Sequence, residues 1–197
     1  MAGAACILDL DGTVWDSHPW YQRALERCIG RPAEEVGDAL LEGQSIVRVV
    51  ESYGVTRTSF VRALRATCDG ALYPGIADAI RTLAAQGVAL GVHTSLPGWI
   101  AEPLLAQTGL APFFGQAVIH AGNCRARKPS PVGLLAALRV LDTEPSDRVF
   151  YVGDRAVDAE TAIAAGVRFA WAEYGYGERR PSYTAISLKR AEDLTRL

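Results

Sequence analysis

Short apolar, β-branched runs alternate with amphipathic segments along most of the chain. The runs predicted as strands cover residues 5–10, 87–94, 116–120, 148–154 and 167–172. Residues 76–86 have the apolar spacing of a helix, as do residues 156–166, where Gly166 is a suitable C-terminal cap. Strands that alternate with helices are typical of a parallel sheet covered on both faces. The pattern therefore predicts an α/β fold of three layers.

One interval lacks this alternation. Residues 14–73 contain no convincing strand, and their apolar spacing predicts helices over 18–29, 33–41, 45–53 and 58–68, with Gly30, Gly43 and Gly54 between them. The Pro74-Gly75 pair then marks a turn and returns the chain to the alternating pattern. We therefore predict a core of residues 1–15 and 74–197, with a small all-helical unit of residues 16–73 inserted after the first strand.

Composition and charge limit the classes of protein to which this chain can belong. With 197 residues, 49% of them hydrophobic, and a net charge of −2, the chain is expected to fold as one globular domain or as one domain carrying a small insertion. Such a charge provides no field for nucleic acid or an anionic membrane, so neither is expected as a partner. The chain reaches Asp9 before the apolar region of an export signal could form. Cys6, Cys28, Cys68 and Cys124 form no close-spaced pair, so we interpret them as reduced thiols in the cytoplasm.

Acids and hydroxyls stand at the carboxyl ends of the predicted strands, at Asp9, Asp11, Thr94, Ser95 and Asp154. In open α/β sheets, ligands bind at that edge. Asp9 and Asp11 share a face if the first strand extends to them, and Gly12 lets the backbone bend away. Two like charges this close persist if a cation neutralises them or one takes a proton, and Mg²⁺ prefers such oxygen ligands. An Asp-x-Asp pair is also found at helix caps and in solvated loops.

Four short motifs occur in order: DLDGT at residues 9–13, HTS at 93–95, KP at 128–129 and GDRAVD at 153–158. In order and approximate spacing they resemble the four motifs of the haloacid dehalogenase-like hydrolase superfamily. The helical insertion resembles the cap of its phosphoglycolate phosphatase-like branch. This resemblance covers nearly the whole chain. It implies a Rossmann-like core with a helical cap, and Mg²⁺-dependent hydrolysis of a phosphate monoester.

The resemblance also implies a role for each motif residue. Asp9 attacks phosphorus to form an aspartyl-phosphate, while Asp11 protonates the leaving group and then takes a proton from the attacking water. Mg²⁺ is held by Asp9, Asp154 and the backbone carbonyl of Asp11. Thr94 and Lys128 stabilise the charge of the transition state. The residues assigned to the phosphate are Thr94, Ser95, Lys128 and Gly12.

The roles of several other residues stay open at the level of sequence. Asp158 could hold metal-bound water or orient Lys128, or it could be a first-turn acid that favours the helix dipole. Ser95 replaces the asparagine usual in this branch; because that contact is largely through the backbone amide, we expect a working site with altered substrate contacts. Candidates for substrate specificity are His18, Trp20, Tyr21, Arg23 and Arg48, although aromatic residues at a helix start more often pack. The aromatic-rich residues 171–177 are interpreted as core packing.

The predicted function is a Mg²⁺-dependent phosphatase that acts on a small phosphorylated metabolite, as a monomer or a homodimer. A phosphomutase of the same superfamily shares all four motifs and would differ in its product. A dehalogenase lacks a carboxylate two residues after the nucleophile, so Asp11 counts against it. A non-catalytic binding protein is the remaining alternative, and the filled chemical positions count against it.

Overall fold

A parallel sheet forms the centre of the protein. The computed structural model describes residues 3–33, 35–41, 44–67, 71–177 and 179–197. Within them the strands are β1 (Ala5–Leu8), β2 (Ala89–His93), β3 (Val118–Ile119), β4 (Val149–Gly153), β5 (Arg168–Ala172) and β6 (Ile186–Leu188). Their order in the sheet is β3-β2-β1-β4-β5-β6, and every neighbouring pair is parallel. The predicted α/β fold is confirmed.

The central strand β1 is buried along its whole length. Leu8 is paired with Val92 on one side and with Val152 on the other. Cys6 and Leu8 contribute to the hydrophobic cluster on one face of the sheet, whereas Ala5 and Ile7 contribute to the cluster on the other face. A strand covered on both faces has a continuous apolar sequence, which is the pattern of residues 5–8.

Helices cover both faces of the sheet. One face packs against α5 (Ile76–Ala85), α6 (Gly98–Gln107), α7 (Ala111–Phe114) and a 3₁₀ helix at Ala191–Arg196. The other face packs against α8 (Val132–Val140) and α9 (Ala156–Ala165). The chain therefore forms the three layers that the alternation predicts.

The strand order places a crevice at the carboxyl end of β1. The chain runs outward from β1 to β2 and β3, then returns to place β4 on the other side of β1. Connections leave β1 and β4 towards opposite sides of the sheet, so a gap opens where these two strands end. Asp9 follows β1 directly, and Asp154 follows β4.

The segment between β1 and β2 begins with four helices: α1 (Ser17–Ile29), α2 (Glu35–Leu41), α3 (Ile46–Ser52) and α4 (Arg57–Ala66). Gly30 ends α1 with a φ of 70°, and the Thr56 hydroxyl caps α4 by accepting a hydrogen bond from the Ser59 amide. The buried faces of these helices join the hydrophobic cluster that also contains Leu8 and Ile100. The division of the chain at residues 16 and 73 stays a prediction.

Some expectations about local structure were wrong. β1 ends at Leu8, two residues earlier than predicted, because the amides of Val14 and Trp15 turn back to the Leu10 carbonyl. Asp9 and Asp11 are therefore not neighbours on one strand face. The short strand β6 was not predicted. Gly43 and Cys68 lie outside the described residues.

The cysteines that the structure describes are free thiols at Cys6, Cys28 and Cys124. Burial raises the pKa of Cys6 to about 12, so this thiol is unreactive and serves as a small apolar side chain. In the described parts of the chain, each helix is too short or too polar to cross a membrane.

Candidate active site

Three carboxylates converge at the crevice between β1 and β4. Each of Asp9, Asp154 and Asp158 offers an oxygen that lies within 4.8 Å of those of the other two. Asp9 and Asp154 follow the ends of their strands, and Asp158 lies in the first turn of α9. All three are buried. Strand ends that are far apart in sequence thus build one acidic site.

Lys128 provides the positive charge of this site. Its Nζ lies 2.7 Å from Asp158 Oδ1 and 3.0 Å from Asp9 Oδ1, and its side chain is 4% exposed. Tyr151 also donates to Asp158 Oδ1, and the Arg155 amide donates to Asp158 Oδ2. Burial alone would lower the pKa of Lys128, but the charges of Asp158 and Asp9 outweigh it and raise that pKa. Lys128 is therefore an ammonium ion fixed against Asp9.

The site has an excess of negative charge. Burial, followed by the charges of Asp158 and Asp9, raises the pKa of Asp154 to about 7. Burial also raises the pKa of Asp9, although Lys128 acts in the opposite direction. One ammonium among three carboxylates leaves an excess of two negative charges when all are ionised. Such a set of oxygen ligands fits a divalent cation such as Mg²⁺.

Asp11 lies apart from this cluster, in the turn after β1. Its Oδ1 accepts a hydrogen bond of 2.7 Å from the Tyr21 hydroxyl. Burial raises the pKa of Asp11 to about 7 despite that hydrogen bond. A carboxyl group with such a pKa exchanges its proton near neutral pH, which suits a general acid or base.

Gly12 shapes the turn. Its φ is 73°, and a Cβ atom at this position would collide with the carboxylate of Asp154. Its amide donates to the Trp15 carbonyl over 3.0 Å. The N–H group of Gly12 thus already has a partner within the turn, and the expected contact of Gly12 with phosphate stays a prediction.

Thr94 and Ser95 follow β2 at the same edge of the sheet. The Thr94 amide pairs with Ile119, and its hydroxyl oxygen accepts a hydrogen bond of 3.2 Å from the Leu96 amide. The hydroxyl proton of Thr94 can therefore be donated to another group. Ser95 is exposed beside it.

A cavity of about 260 Å³ lies over these groups. Its described lining comes from the strand ends, from α1 and the segment before α3, and from the basic residues next to Lys128 and Asp154. The residues are Asp9, Asp11, His18, Tyr21, Leu40, Gln44, Ser45, Ile46, Thr94, Ser95, Leu96, Pro97, Arg127, Lys128, Asp154, Arg155, Val157 and Asp158. A larger hollow of about 840 Å³ between Ile29 and Tyr53 contains none of the acids described above.

Known proteins are similar to this chain in sequence. The family model for the haloacid dehalogenase-like hydrolases matches residues 4–166. The chain belongs to the haloacid dehalogenase-like hydrolase family. It is 30% identical to phosphoglycolate phosphatase 1 of Pseudomonas aeruginosa over 195 residues, covering 89% of this chain and 71% of that protein. It is 31% identical to a phosphoglycolate phosphatase of Rhodospirillum rubrum over 217 residues, covering 98% and 88%.

The fold is similar to solved structures of this family. CbbY from Rhodobacter sphaeroides in complex with phosphate superposes with a TM-score of 0.76 at 20% identity, over 98% of this chain and 96% of that one. A HAD phosphatase from Thermococcus onnurineus gives a TM-score of 0.76 at 22% identity, over 98% and 96%. At these sequence identities the similarity supports the fold of this hydrolase only. Its chemistry has to be argued from the residues of its own site.

The candidates for substrate specificity in this hydrolase separate into two groups. His18 and Tyr21 line the cavity. Trp20 is fully buried, so it packs instead of contacting a ligand, and Arg23 and Arg48 are exposed away from the described lining. The structure therefore does not bring Trp20, Arg23 and Arg48 to the described lining, because the 3.6-residue period of a helix points successive side chains in different directions, and a role for them in specificity stays a prediction.

The packing interpretation of residues 171–177 holds for Trp171 and Tyr174, which lie in or against the hydrophobic clusters, whereas Tyr176, in the loop after β5, reaches the site. The Tyr176 amide donates to Asp154 Oδ2 over 2.9 Å, and its hydroxyl donates to Asp16 Oδ1 over 2.6 Å. The ring of Tyr176 stacks on His18, with centroids 3.7 Å apart. Burial lowers the pKa of His18 to about 4, and the positive charge of Arg155 adds to the effect. Tyr176 thus connects Asp154 with the start of α1.

Arg127 and Arg155 are further lining residues that the sequence analysis missed. Each stands directly beside a motif residue, Lys128 or Asp154, and this adjacency was the available signal. Gln44, Ser45 and Ile46 also line the cavity, and they reach it through the packing of the inserted helices, which no local sequence pattern indicates.

We expect Trp20→Ala to lower the free energy of unfolding by about 3–5 kcal/mol, because it removes a large buried side chain. Trp20 lies edge-on to Trp15, and its Nε1 donates to the Leu64 carbonyl over 3.1 Å. Arg23→Ala on the same helix is the matched control and should change stability by less than about 0.5 kcal/mol. Urea unfolding measures both. If Trp20→Ala left the stability unchanged and raised KM, Trp20 would contact the substrate instead of packing in the core.

Proposed function

We propose that this hydrolase is a Mg²⁺-dependent phosphatase, which hydrolyses a small phosphorylated metabolite through an aspartyl-phosphate on Asp9. The observation that carries the proposal is the contact of Asp9 with Lys128, at 3.0 Å, on the wall of a cavity that also contains Asp11 and Thr94. A nucleophile, a cation, a proton-exchanging group and a hydroxyl donor thus surround one small space.

The first step is attack of an Asp9 oxygen on phosphorus. The P–O bond to the leaving group breaks as the new bond forms, and an acyl phosphate results. The ammonium of Lys128, 3.0 Å from Asp9 Oδ1, lies where negative charge accumulates on the phosphoryl oxygens. The free proton of the Thr94 hydroxyl is available to one of these oxygens.

Asp11 exchanges the proton in both steps. In the first, its carboxyl group protonates the leaving alkoxide; in the second, its carboxylate takes a proton from the water that attacks phosphorus. Asp9 then leaves as a carboxylate, and inorganic phosphate is released. A pKa near 7 in the cavity supports both forms of Asp11 at neutral pH.

Mg²⁺ would be held by the carboxylates of Asp9 and Asp154 and by the Asp11 backbone carbonyl. Both carboxylate oxygens of Asp158 already accept hydrogen bonds from protein donors, so we assign Asp158 to the positioning of Lys128. Bound Mg²⁺ supplies screening of the charge between Asp9 and the phosphoryl group.

We propose that the helices within residues 16–73 act as a cap over the core of residues 1–15 and 74–197. His18, Tyr21 and Ile46 from this segment line the cavity together with core residues. A cap in this position excludes bulk water from the phosphoryl group, which strengthens the electrostatic interactions there. It also restricts the substrate to a small molecule.

The relatives named above are phosphoglycolate phosphatases, so phosphoglycolate is the first substrate to test. Arg127 and Arg155 add positive charge to the same cavity, which favours an anionic leaving group. A phosphomutase is the alternative, and analysis of the product separates the two. We propose no nucleic acid or membrane partner and place the enzyme in the cytoplasm, as a monomer or homodimer.

Hydrolysis in ¹⁸O-labelled water tests the mechanism without knowledge of the natural substrate. We expect one solvent oxygen in each phosphate released over multiple turnovers and none in the peptide that contains Asp9, because water attacks phosphorus. In dehalogenase chemistry, water attacks the carbonyl carbon of the aspartate, so the label enters that peptide. Mass spectrometry of phosphate and peptide distinguishes the two reactions, and labelled Asp9 would contradict the proposal.

A further inference from the structure

We propose that Tyr21 is a positioning residue for Asp11, so that proton transfer to the leaving group depends on a side chain from helix α1. This inference rests on the proposed function. It gives Tyr21 a role distinct from the substrate contact expected from the sequence.

The contact is short and buried. The Tyr21 hydroxyl donates to Asp11 Oδ1 over 2.7 Å, and Tyr21 is 1% exposed. Its ring packs against Phe60 and Trp20, with centroids 6.1 Å and 6.2 Å away. These neighbours fix the ring, so the hydroxyl has a defined position. The backbone of Asp11 is held in the turn after β1 by a bridge to Trp15, and its carboxyl group is oriented by Tyr21 and by Ser17 at the start of the same helix.

The hydrogen bond distinguishes the two oxygens of Asp11. Oδ1 is occupied by a phenol that stays protonated at neutral pH, since the ordinary pKa of tyrosine is about 10. Oδ1 is therefore committed to Tyr21, which leaves Oδ2 as the oxygen that can reach the leaving group. Tyr21 itself neither gains nor loses a proton in the reaction. It sets which oxygen of Asp11 faces the leaving group.

The contact also joins two parts of the fold. Asp11 follows β1, whereas Tyr21 lies on α1, which packs against α4 in the inserted segment. The general acid is therefore correctly oriented only while α1 occupies its place over the strand ends. A displacement of α1 would remove the hydroxyl from Asp11, whereas the ion pairs of Lys128 with Asp9 and Asp158 are made outside the inserted helices.

Tyr21→Phe tests the inference because it removes only the hydroxyl. We expect kcat to fall about 10-fold for an alkyl phosphate and less than about 2-fold for p-nitrophenyl phosphate, since an aryloxide needs little protonation to leave. Tyr53→Phe, on the inserted segment but outside the cavity lining, is the matched control and should leave both rates unchanged. Thermal unfolding of each variant checks that the fold is retained.

A double-mutant cycle with Asp11→Ala decides whether Tyr21 acts through Asp11. Residues that act as one unit are non-additive, so Tyr21→Phe should have no further effect on kcat in the Asp11→Ala background. Equal losses on both esters, or a full 10-fold loss that persists without Asp11, would overturn the positioning role. A wild-type chain that hydrolyses neither ester overturns the proposed function, and the inference with it.

Discussion

Asp9→Asn should abolish turnover of every phosphate ester, with a loss of at least about 10⁴-fold in kcat. An amide is a poor nucleophile, and it cannot form the acyl phosphate that divides hydrolysis into two steps. The other chemical groups, Lys128, Asp11 and Thr94, would remain in place around the cavity. They would still bind and polarise the ester but could not replace the missing bond to phosphorus. Steady-state release of phosphate measures the loss.

Asp78→Asn is the control for this substitution. Asp78 lies on α5, where its side chain is 85% exposed and pairs with Arg81, so the same change of charge is made away from the cavity. It should retain full activity. Both variants should show the circular dichroism spectrum of the wild type. Turnover by purified Asp9→Asn above one hundredth of the wild-type rate would assign the nucleophile to another residue.

Strand positions could be predicted well because buried parallel strands have continuous apolar sequences. β1, β2, β4 and β5 all fall inside predicted runs. β6 was missed because it consists of only three residues at the edge of the sheet. Such a strand is too short to show a pattern of apolar and polar residues. The end of β1 was also predicted too late, because the turn after it is set by hydrogen bonds to the Leu10 carbonyl.

The convergence of Asp9 and Asp154 could be predicted, since parallel strands bring their carboxyl ends to one edge. Lys128 lies in the connection between β3 and α8, so only the resemblance to the family indicated that it belongs to this site. The roles of the residues on α1 could not be predicted from the sequence. Trp20 and Tyr21 are adjacent aromatic residues and both are buried in the hydrophobic core, yet only Tyr21 contacts Asp11 and lines the cavity. Which neighbour faces the cavity depends on how α1 packs against α4, and this packing joins residues distant in sequence. The same reason applies to Tyr176, which reaches His18 from the far end of the chain.

Removal of divalent metal should abolish activity, and Mg²⁺ should restore it. Asp9 and Asp154 lie in a buried cluster with an excess of negative charge, so we expect a divalent cation to stabilise the folded protein as well. At Mg²⁺ about 100-fold above its Kd, binding contributes about 2.7 kcal/mol, which raises Tm by about 5–10 °C in a protein of this size. Differential scanning calorimetry with EDTA and with Mg²⁺ measures this shift independently of turnover.

The variant Asp154→Asn tests whether Mg²⁺ raises Tm by binding at this crevice. Without metal this variant should unfold at or above the Tm of the wild type, because it removes one of several buried like charges. With Mg²⁺ it should lose most of the Tm increase, whereas Asp78→Asn should keep it. Ca²⁺ binds oxygen ligands with less strict geometry, so it should raise Tm yet support little turnover. Full activity in EDTA, or an equal Mg²⁺ shift in Asp154→Asn, would contradict a metal site at this crevice.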